Sequence, residues 1–498
     1  MDDVFSPPSP PGEPLAGHMT GYKTKPYRTW VLFILLVVYT LSNADRSLLT
    51  VFAQPIISTF HLTDSQWGLL SGPPFAMFYA VMGLPLAAWA DRSKRVAILV
   101  FCILMWSITT ALCGFASGFV ILLVCRMGVA IGEAGCSPIS NSLLGDYFIA
   151  IERPKVLSVW ALGVTIGIIA ANIFGGVIAG LYGATSGHVG NGTGFSHLLT
   201  GVLGTHVEGW QLAFMVLGAS GLLVACLVHF SVKEPPRGYS DPPTAMQRQV
   251  HGFASSLKEL LSKRSYWWMT LASFQTTLVM YGVISFQAPL LQRLHGLTVG
   301  QAALQFGFPI AVAGSFGTFF CGWLIEKLTL RYFSSVAWVP AIGVAVAVPF
   351  YLIAFRSTNL DEVRIFWLFA AFFHYFVIGS AYAIGQGVVS SRSRAVAIAV
   401  LLFIVSGLGG SAGPYLLGVM SDALTLWHFG ASSAAVGLTP HLCKMQLNLT
   451  DAQIHACHLA SSYGLRDAMS LMVCILIPGS LCLVICGKKL KKDYLLRT

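Results

Sequence analysis

The sequence predicts an all-α membrane protein whose twelve transmembrane helices form two pseudo-symmetric six-helix bundles. Hydrophobic residues make up 55% of the 498-residue chain and charged residues only 10%. The mean hydropathy of +0.72 lies outside the range of soluble globular proteins. Twelve apolar stretches are long enough to span a bilayer. They cover approximately residues 30–54, 67–90, 95–117, 119–147, 155–183, 209–231, 265–293, 299–325, 333–355, 364–389, 395–422 and 466–487.

The stretches outside these spans define the predicted domains. Residues 1–29 are polar and proline-rich and lack the apolar core of a signal peptide, so we expect a disordered tail. The bundles then cover 30–231 and 265–487, and a polar linker, 232–264, joins them. The linker segment FASSLKELLSK has the spacing of an amphipathic helix on a membrane surface. Residues 488–498 form a basic tail.

Three pairs of similar segments indicate that the two bundles are repeats of each other. Residues 87–92 parallel 322–327, residues 152–157 parallel 391–396, and Gly175-Gly176 parallels Gly413-Pro414. The offsets between the paired positions run only from 235 to 239 residues. Repeats arranged around a central axis form a binding site at their interface near the bilayer midplane, which is the geometry of a transporter.

Lysine and arginine are distributed unequally between the two sides of the predicted membrane. The tails and the loops on their side hold 23 of the 30 basic residues, and the opposite loops hold five. The positive-inside rule therefore predicts that both termini are cytoplasmic. Because this topology accounts for the net charge of +10, the charge does not predict nucleic-acid binding.

Four charged residues lie well inside the predicted spans, away from their ends. Arg126 and Glu133 are seven residues apart on the fourth span, about two helical turns, and therefore share a face. Asp45 and Arg46 are neighbours on the first span and point in different directions. An ionised group in hydrocarbon costs ~2.5 kcal/mol or more, so such groups normally face a bundle interior or a watery cavity. We expect Asp45 to pair with Arg126, and Arg46 to pair with Glu133 or with a ligand anion; alternatively, Arg126 and Glu133 only hold helices together.

The corresponding positions of the second half carry no charge. Uncharged polar and aromatic residues occupy its seventh and tenth spans instead. This asymmetry predicts that the first half couples energy and that the second half shapes the substrate site. The expected substrate-binding residues are Arg46, Arg126, Asn43, Gln275, Tyr281, His374 and Tyr382.

Two of the eleven cysteines lie outside the predicted spans. Cys443 and Cys457 share the long loop between the last two spans, and a disulfide is expected there if that side of the membrane is oxidising. Histidines lie nearby, but their spacing matches no standard zinc pattern, so we predict no metal site.

Several segments carry a family resemblance: SNADRSLLTVFAQPI, LLSGPPFAMFYAVMGLP, GEAGCSPISNSLLGDYF, SRAVAIAV and GPYLLGVMSD. With ADRSKR after the second span, they resemble the major facilitator superfamily, and within it the Spinster branch, particularly its bacterial members. The resemblance implies a proton-coupling and substrate-coupling group of Asp45, Arg46, Arg126 and Glu133. It implies a cytoplasmic gate of Asp91, Arg92 and Arg95, to which the repeat adds Glu326. It also favours a bacterial inner membrane, and the fifth span lacks the Gly-Pro signature of drug antiporters.

We therefore expect a proton-coupled secondary transporter of a lipid-like solute, such as a lysolipid or sphingosine phosphate, or of an organic anion. A proton on Glu133 or Asp45 would free an arginine for a substrate anion. The residues leave symport and antiport open. The alternatives are a sugar or sugar-acid transporter and a transport-inactive sensor or scaffold. The sequence contains no HExxH motif and no P-loop, so it gives no indication of an enzyme or of direct ATP drive. We expect a monomer that uses a proton gradient and no cofactor.

Overall fold

The computed structural model of the chain describes residues 21–149, 152–181, 207–237, 239–240, 253–329, 331–389, 393–430, 443 and 449–493. All regular secondary structure in these ranges is helical. Twelve helices, labelled α1 to α12 below, are long and apolar enough to cross a membrane. The predicted fold class is therefore confirmed.

The helix bounds are as follows. The first half contains α1 (Lys25–Val51), α2 (Asp64–Ser71 and Pro73–Arg92), α3 (Arg95–Cys113), α4 (Phe119–Ala134 and Cys136–Tyr147), α5 (Arg153–Leu181) and α6 (Gly209–Ser231). The second half contains α7 (Arg264–His295), α8 (Val299–Gln301, the π-helical turn Ala302–Gly307, and Phe308–Thr329), α9 (Ser335–Arg356), α10 (Leu360–His374 and Val377–Gly387), α11 (Arg394–Leu402, the π-helical turn Phe403–Gly409, and Gly410–Gly430) and α12 (Asp451–Cys474 and Leu476–Asp493). Two shorter helices are Ala53–Thr59 and Phe253–Ser262.

Some helix ends differ from the predicted boundaries. Helix α1 begins at Lys25, inside the predicted tail, because Pro26 suits the first turn of a helix. Helix α12 begins at Asp451, about four turns early, where Thr450 and Gln453 form a capping box. It ends at Asp493, whose carboxylate accepts the Ser265 N–H at 2.8 Å. Polar capping groups thus extend helices past the ends of their apolar stretches.

The two ends of the helical bundle are called here the terminal face and the distal face. The terminal face is where α1 begins and α12 ends. The start of α1 lies beside the end of α6, because the Tyr27 hydroxyl donates to Ser231 O at 2.8 Å. The hydrogen bond between Ser265 and Asp493 likewise joins the start of α7 to the end of α12. Because successive helices alternate in direction, the connections that follow odd-numbered helices lie at the distal face.

Helices α2 and α11 join the two halves by close backbone contact. A Cβ atom on Gly68 would lie 2.3 Å from Pro414 O, and one on Gly72 would lie 2.4 Å from Ser411 O. Glycine is required at such positions because a larger residue would separate the helices. The crossing runs from Gly72, where α2 is interrupted, towards the distal face. The halves are thus in direct contact over their distal portion.

Candidate functional site

The four charged side chains predicted well inside the membrane form two ion pairs between α1 and α4. Arg126 Nη1 donates to Asp45 Oδ1 at 3.1 Å, and Arg46 Nε donates to Glu133 Oε2 at 2.5 Å. The second oxygen of Asp45 accepts a hydrogen bond from the Thr110 hydroxyl of α3. The pairing is the one expected from charge balance, whereas nothing in the sequence pattern indicated Thr110.

The two pairs differ in their access to solvent. The side chains of Asp45 and Arg126 are both buried. Glu133 is 0% exposed, but the Arg46 side chain bound to it is 32% exposed. Within the described residues, Glu133 Oε1 and Arg126 Nε are buried without a hydrogen-bond partner. The cluster therefore combines an accessible cation with a buried carboxylate that has one oxygen unengaged.

Two aromatic rings of α2 contact both arginines. The guanidinium carbon of Arg46 lies 4.4 Å from the ring centroid of Tyr79 and 5.3 Å from that of Phe75. The guanidinium carbon of Arg126 lies 4.9 Å from the same Phe75 ring. These distances are those of cation–π interactions. Neither ring was predicted from the sequence, although their spacing of four residues places them on one helix face.

The predicted residues of the second half separate into two groups. Tyr281 and Tyr382 are 42% and 40% exposed, and Tyr281 lies within electrostatic range of Arg46 and Tyr79 across the interface. Tyr382 lies within range of Tyr281. Both tyrosines are therefore accessible, and Tyr281 lies near the partly exposed Arg46 side chain.

The other three predicted substrate-binding residues are directed elsewhere. His374 is 1% exposed; its Nδ1 accepts from the Tyr351 hydroxyl and its Nε2 donates to Thr276 O, both at 3.1 Å. Because both ring nitrogens already have hydrogen-bond partners, the structure does not support the prediction that His374 binds substrate. The Gln275 amide oxygen is buried close to Gly479 of α12, and Asn43 donates to Tyr39 O at 2.8 Å within α1. These residues were predicted to bind substrate because they are polar residues in apolar helices. The rotation of each helix, however, directs their hydrogen-bonding groups towards neighbouring helices or their own backbone.

Among the predicted gate residues at the terminal face, none of the described side chains forms a hydrogen bond or ion pair with the other half. Arg95 is buried and donates to Asp146 of α4, and at 2.8 Å to Glu234 of the linker. Arg92 and Glu326 are exposed, and Glu326 has no ion-pair partner among the described residues. The side chain of Asp91 lies outside the described part. Arg95 thus ties α3, α4 and the linker together, and its role in a cytoplasmic gate stays a prediction.

The start of the linker is held against the first half. Arg237 Nη2 donates to Ala90 O at 2.7 Å and to Ser93 O at 2.9 Å, at the end of α2. The Tyr147 hydroxyl donates to Lys233 O. Residues 232–237 therefore belong structurally to the first half, although the composition of the sequence places them in the linker.

Arg237→Ala should loosen this attachment. The variant lacks two hydrogen bonds from a charged donor, and we expect a local cost of about 1–2 kcal/mol. Hydrogen exchange of residues 232–237 should then accelerate about 5- to 30-fold. The exposed neighbour Arg92→Ala is the control and should leave the exchange unchanged; equal acceleration in both variants would contradict the attachment.

A second polar cluster joins the halves at the distal face. Arg293 of α7 donates to both carboxylate oxygens of Asp64 of α2, at 2.7 and 2.8 Å. Ser421 of α11 donates to Asp64 Oδ2 at 2.6 Å. The Asp422 carboxylate accepts the N–H groups of Asp64 and Ser65 at 3.1 and 2.9 Å. We call Asp64, Arg293, Ser421 and Asp422 the distal latch.

The described part also contains one covalent link near the distal face. Cys443 and Cys457 form a disulfide that connects the loop after α11 to the first turns of α12, with their Cα atoms 5.5 Å apart. No cluster of potential metal ligands lies among the described residues. The bond fastens the long distal loop to α12.

Comparison with known proteins agrees with this arrangement. The family model of the Major Facilitator Superfamily matches residues 35–414. A crystal structure of a bacterial homologue of the human lysosomal transporter Spinster, in an inward-facing and unoccupied conformation, is 40% identical. That alignment covers 96% of this chain and 100% of the other, with a TM-score of 0.86.

Curated relatives include transporters from bacteria and animals. An MFS-type efflux pump of Mycolicibacterium smegmatis is 28% identical over 85% of this chain and 91% of its own length. The sphingosine-1-phosphate transporter SPNS2 of Danio rerio is 26% identical over 80% of this chain and 79% of its own length. On these matches, the chain belongs to the major facilitator superfamily of transporters and to its Spinster branch.

Proposed function

We propose that this Spinster-like transporter is a proton-coupled secondary carrier of anionic amphipathic solutes. The observation that carries the proposal is the pair of Arg46 and Glu133, in which an accessible guanidinium binds a fully buried carboxylate. Burial disfavours the ionised carboxylate and the arginine favours it, so small movements of the pair change its proton affinity. A proton on Glu133 would release Arg46 to bind a substrate anion. Proton binding and substrate binding would thereby be linked.

We also infer the orientation from the distribution of basic residues, which puts the terminal face in the cytoplasm. The described hydrogen bonds between the halves lie at mid-depth, as between Thr165 and Ser315, or closer to the distal face, as between Trp67 and Ser285 and at the distal latch. In this orientation the carrier is closed outwards and open inwards. Alternating access would then require the distal latch to open. A bacterial inner membrane is the proposed location.

The surroundings of Arg46 favour a lipid-like substrate over a small hydrophilic one. The guanidinium lies over the rings of Tyr79 and Phe75. In the second half, the accessible Tyr281 ring lies within electrostatic range of Arg46, and the accessible Tyr382 ring lies within range of Tyr281. Aromatic rings offer apolar surface to an acyl chain, while the guanidinium matches a phosphate or carboxylate. Because the site lies between the halves of one chain, a monomer would be sufficient for transport. The proton gradient would supply the energy, so no cofactor would be needed.

Uptake by proteoliposomes separates the candidate substrates. Radiolabelled lysophosphatidate and radiolabelled glucuronate should be compared, each with and without an imposed pH gradient. We expect gradient-dependent accumulation of lysophosphatidate and none of glucuronate. Accumulation of glucuronate alone would replace the proposal with a sugar-acid carrier. Uptake of neither probe would favour a transport-inactive sensor.

Glu133→Gln should abolish the response to the pH gradient. One pH unit represents about 1.4 kcal/mol per coupled proton and supports up to about tenfold accumulation. Without an ionisable group at this position, uptake should only equilibrate the probe. Glu152→Gln is the matched control, because Glu152 pairs with Arg28 at 3.0 Å on the terminal face and should retain the gradient response. A Glu133→Gln transporter that still accumulates the probe with the gradient would refute the role of Glu133.

A further inference from the structure

The Phe75 and Tyr79 rings form a continuous surface for the two guanidiniums of the charge cluster. Their centroids are 6.2 Å apart and their planes differ by 15°. Phe75 contacts both Arg46 and Arg126, while Tyr79 contacts Arg46 at the shortest of the three distances. We call this pair of rings the aromatic cradle. Each arginine therefore has two kinds of partner, a carboxylate and a ring.

Of these two partners, only the carboxylate changes its charge with pH in the acid range. Among the described residues, the titratable groups within electrostatic range of the guanidiniums include Tyr39 and Asp45 of α1, Tyr79 of α2, Cys113 of α3, Glu133 and Cys136 of α4, and Tyr281 of α7. Among them, the two carboxylates carry the negative charges that protons remove in the acid range. The attraction of a ring face for a cation remains when a carboxylate is protonated.

An arginine without any partner would not remain at the site. Its side chain is long and flexible, and holding it in one rotamer costs conformational entropy. A guanidinium whose carboxylate has been neutralised would therefore be disordered or turn towards water. The cradle opposes both outcomes because stacking against a ring fixes the plane and position of the guanidinium.

The cradle also lies beside the contact between the halves. Phe75 is one turn after Gly72, the interruption of α2, where the backbone approaches Ser411 of α11 closely. The rings therefore lie within about two helical turns of the contact between the halves.

We propose that Phe75 and Tyr79 are positioning residues that hold Arg126 and Arg46 ready for an anionic substrate group while Asp45 and Glu133 are protonated. The inference rests on the proposed function, since it assigns these rings a role in the same proton-linked site. It adds that the arginines are held in place before the substrate binds. The affinity for the substrate would therefore depend on Phe75 and Tyr79, which do not bind the proton themselves.

The first test requires no transport. An experimental structure of Glu133→Gln imitates the protonated carboxyl, and the Arg46 guanidinium carbon should remain within about 6 Å of the Tyr79 centroid. In Glu133→Gln/Tyr79→Leu the Arg46 side chain should become disordered. Departure of Arg46 from the ring in Glu133→Gln, or an unchanged Arg46 in the double variant, would overturn the proposal.

The second test uses lysophosphatidate uptake by proteoliposomes. Tyr79→Leu should raise KM about tenfold with kcat within about twofold of wild type, because the leucine provides no cation–π attraction to hold Arg46 for the substrate. The increase should be larger at acidic than at alkaline pH, because Glu133 holds Arg46 when it is ionised. Tyr79→Phe keeps the ring and should restore most of the affinity, and Phe78→Leu is the control on the same helix.

The outcomes distinguish the two proposals. Equal KM values for Tyr79→Leu and Phe78→Leu, or an increase that does not vary with pH, would overturn the role of the cradle. If wild-type protein takes up no lysophosphatidate, the proposed function fails, and the structure of Glu133→Gln still decides whether the cradle holds Arg46.

Discussion

Arg293→Gln should shift the protein from the state closed at the distal face towards a state open there. Arg293 is buried and binds both carboxylate oxygens of Asp64. Without it, the closed state retains Asp64 as a buried charge lacking its cation, at a cost of about 3–5 kcal/mol. In the open state, water reaches Asp64 and the cost disappears. The ratio of open to closed molecules should therefore rise on the order of 10²- to almost 10⁴-fold.

Spin labels on Ser58 and Thr358, exposed residues in distal connections of opposite halves, would measure this shift as a longer distance distribution. Arg364→Gln is the matched control. Arg364 also lies near the distal face, but its pair with Asp361 is 3.4 Å long and exposed, so its removal should cost less than about 1 kcal/mol. An unchanged distance distribution in Arg293→Gln would mean that the latch does not determine which face is closed.

The difference between the latch and the central charge cluster shows what a sequence can reveal. The apolar stretches of the first half are interrupted by Asp45, Arg46, Arg126 and Glu133. Because charges in hydrocarbon need partners, matching each charge with one of opposite sign predicts how they pair. Arg293 is at the end of a stretch, where a charge usually meets water. Only the packing of α7 against α2, more than two hundred residues away in sequence, removes that water.

Arg95 and His374 illustrate a different limit. The family resemblance implied a cytoplasmic gate that includes Arg95, but it gave no indication that the partners of Arg95, Asp146 and Glu234, belong to α4 and the linker. His374 is polar within an apolar helix, but α10 directs it towards Tyr351 and Thr276. Helical periodicity tells which residues share a face. It does not tell which neighbour that face meets, because this depends on how the helices are rotated in the bundle.

Phe75 and Tyr79 show the same limit for apolar residues. Aromatic residues in a membrane helix pack against lipid or other helices far more often than against cations, so the pattern alone favoured no role. Their role becomes visible only through the positions of Arg46 and Arg126 on two other helices. The charges could be identified from the sequence because burying a charge in a membrane costs free energy and therefore requires an explanation. An aromatic ring in a membrane helix carries no such cost, so nothing singles it out.

Arg126→Ala should cause the largest decrease in stability of any single substitution in the charge cluster. The side chains of Arg126 and Asp45 are both buried, and removing the cation leaves Asp45 with Thr110 as its remaining hydrogen-bond donor. Breaking a buried pair from one side costs about 3–5 kcal/mol. The substitution also removes the guanidinium that lies over the Phe75 ring. Thermal unfolding of the purified protein in detergent would measure the decrease.

The double variant Asp45→Asn/Arg126→Ala separates the cost of an unpaired charge from the cost of poorer packing. With both charges removed, most of the stability should return, and the double-mutant cycle should give a coupling energy above about 1 kcal/mol. The single variant Arg126→Ala should also gain stability as the pH falls, because a protonated Asp45 is no longer a buried ion. If the double variant were as unstable as Arg126→Ala at every pH, the decrease would come from the missing arginine side chain itself, and Asp45 would not require a charged partner to remain buried in the membrane.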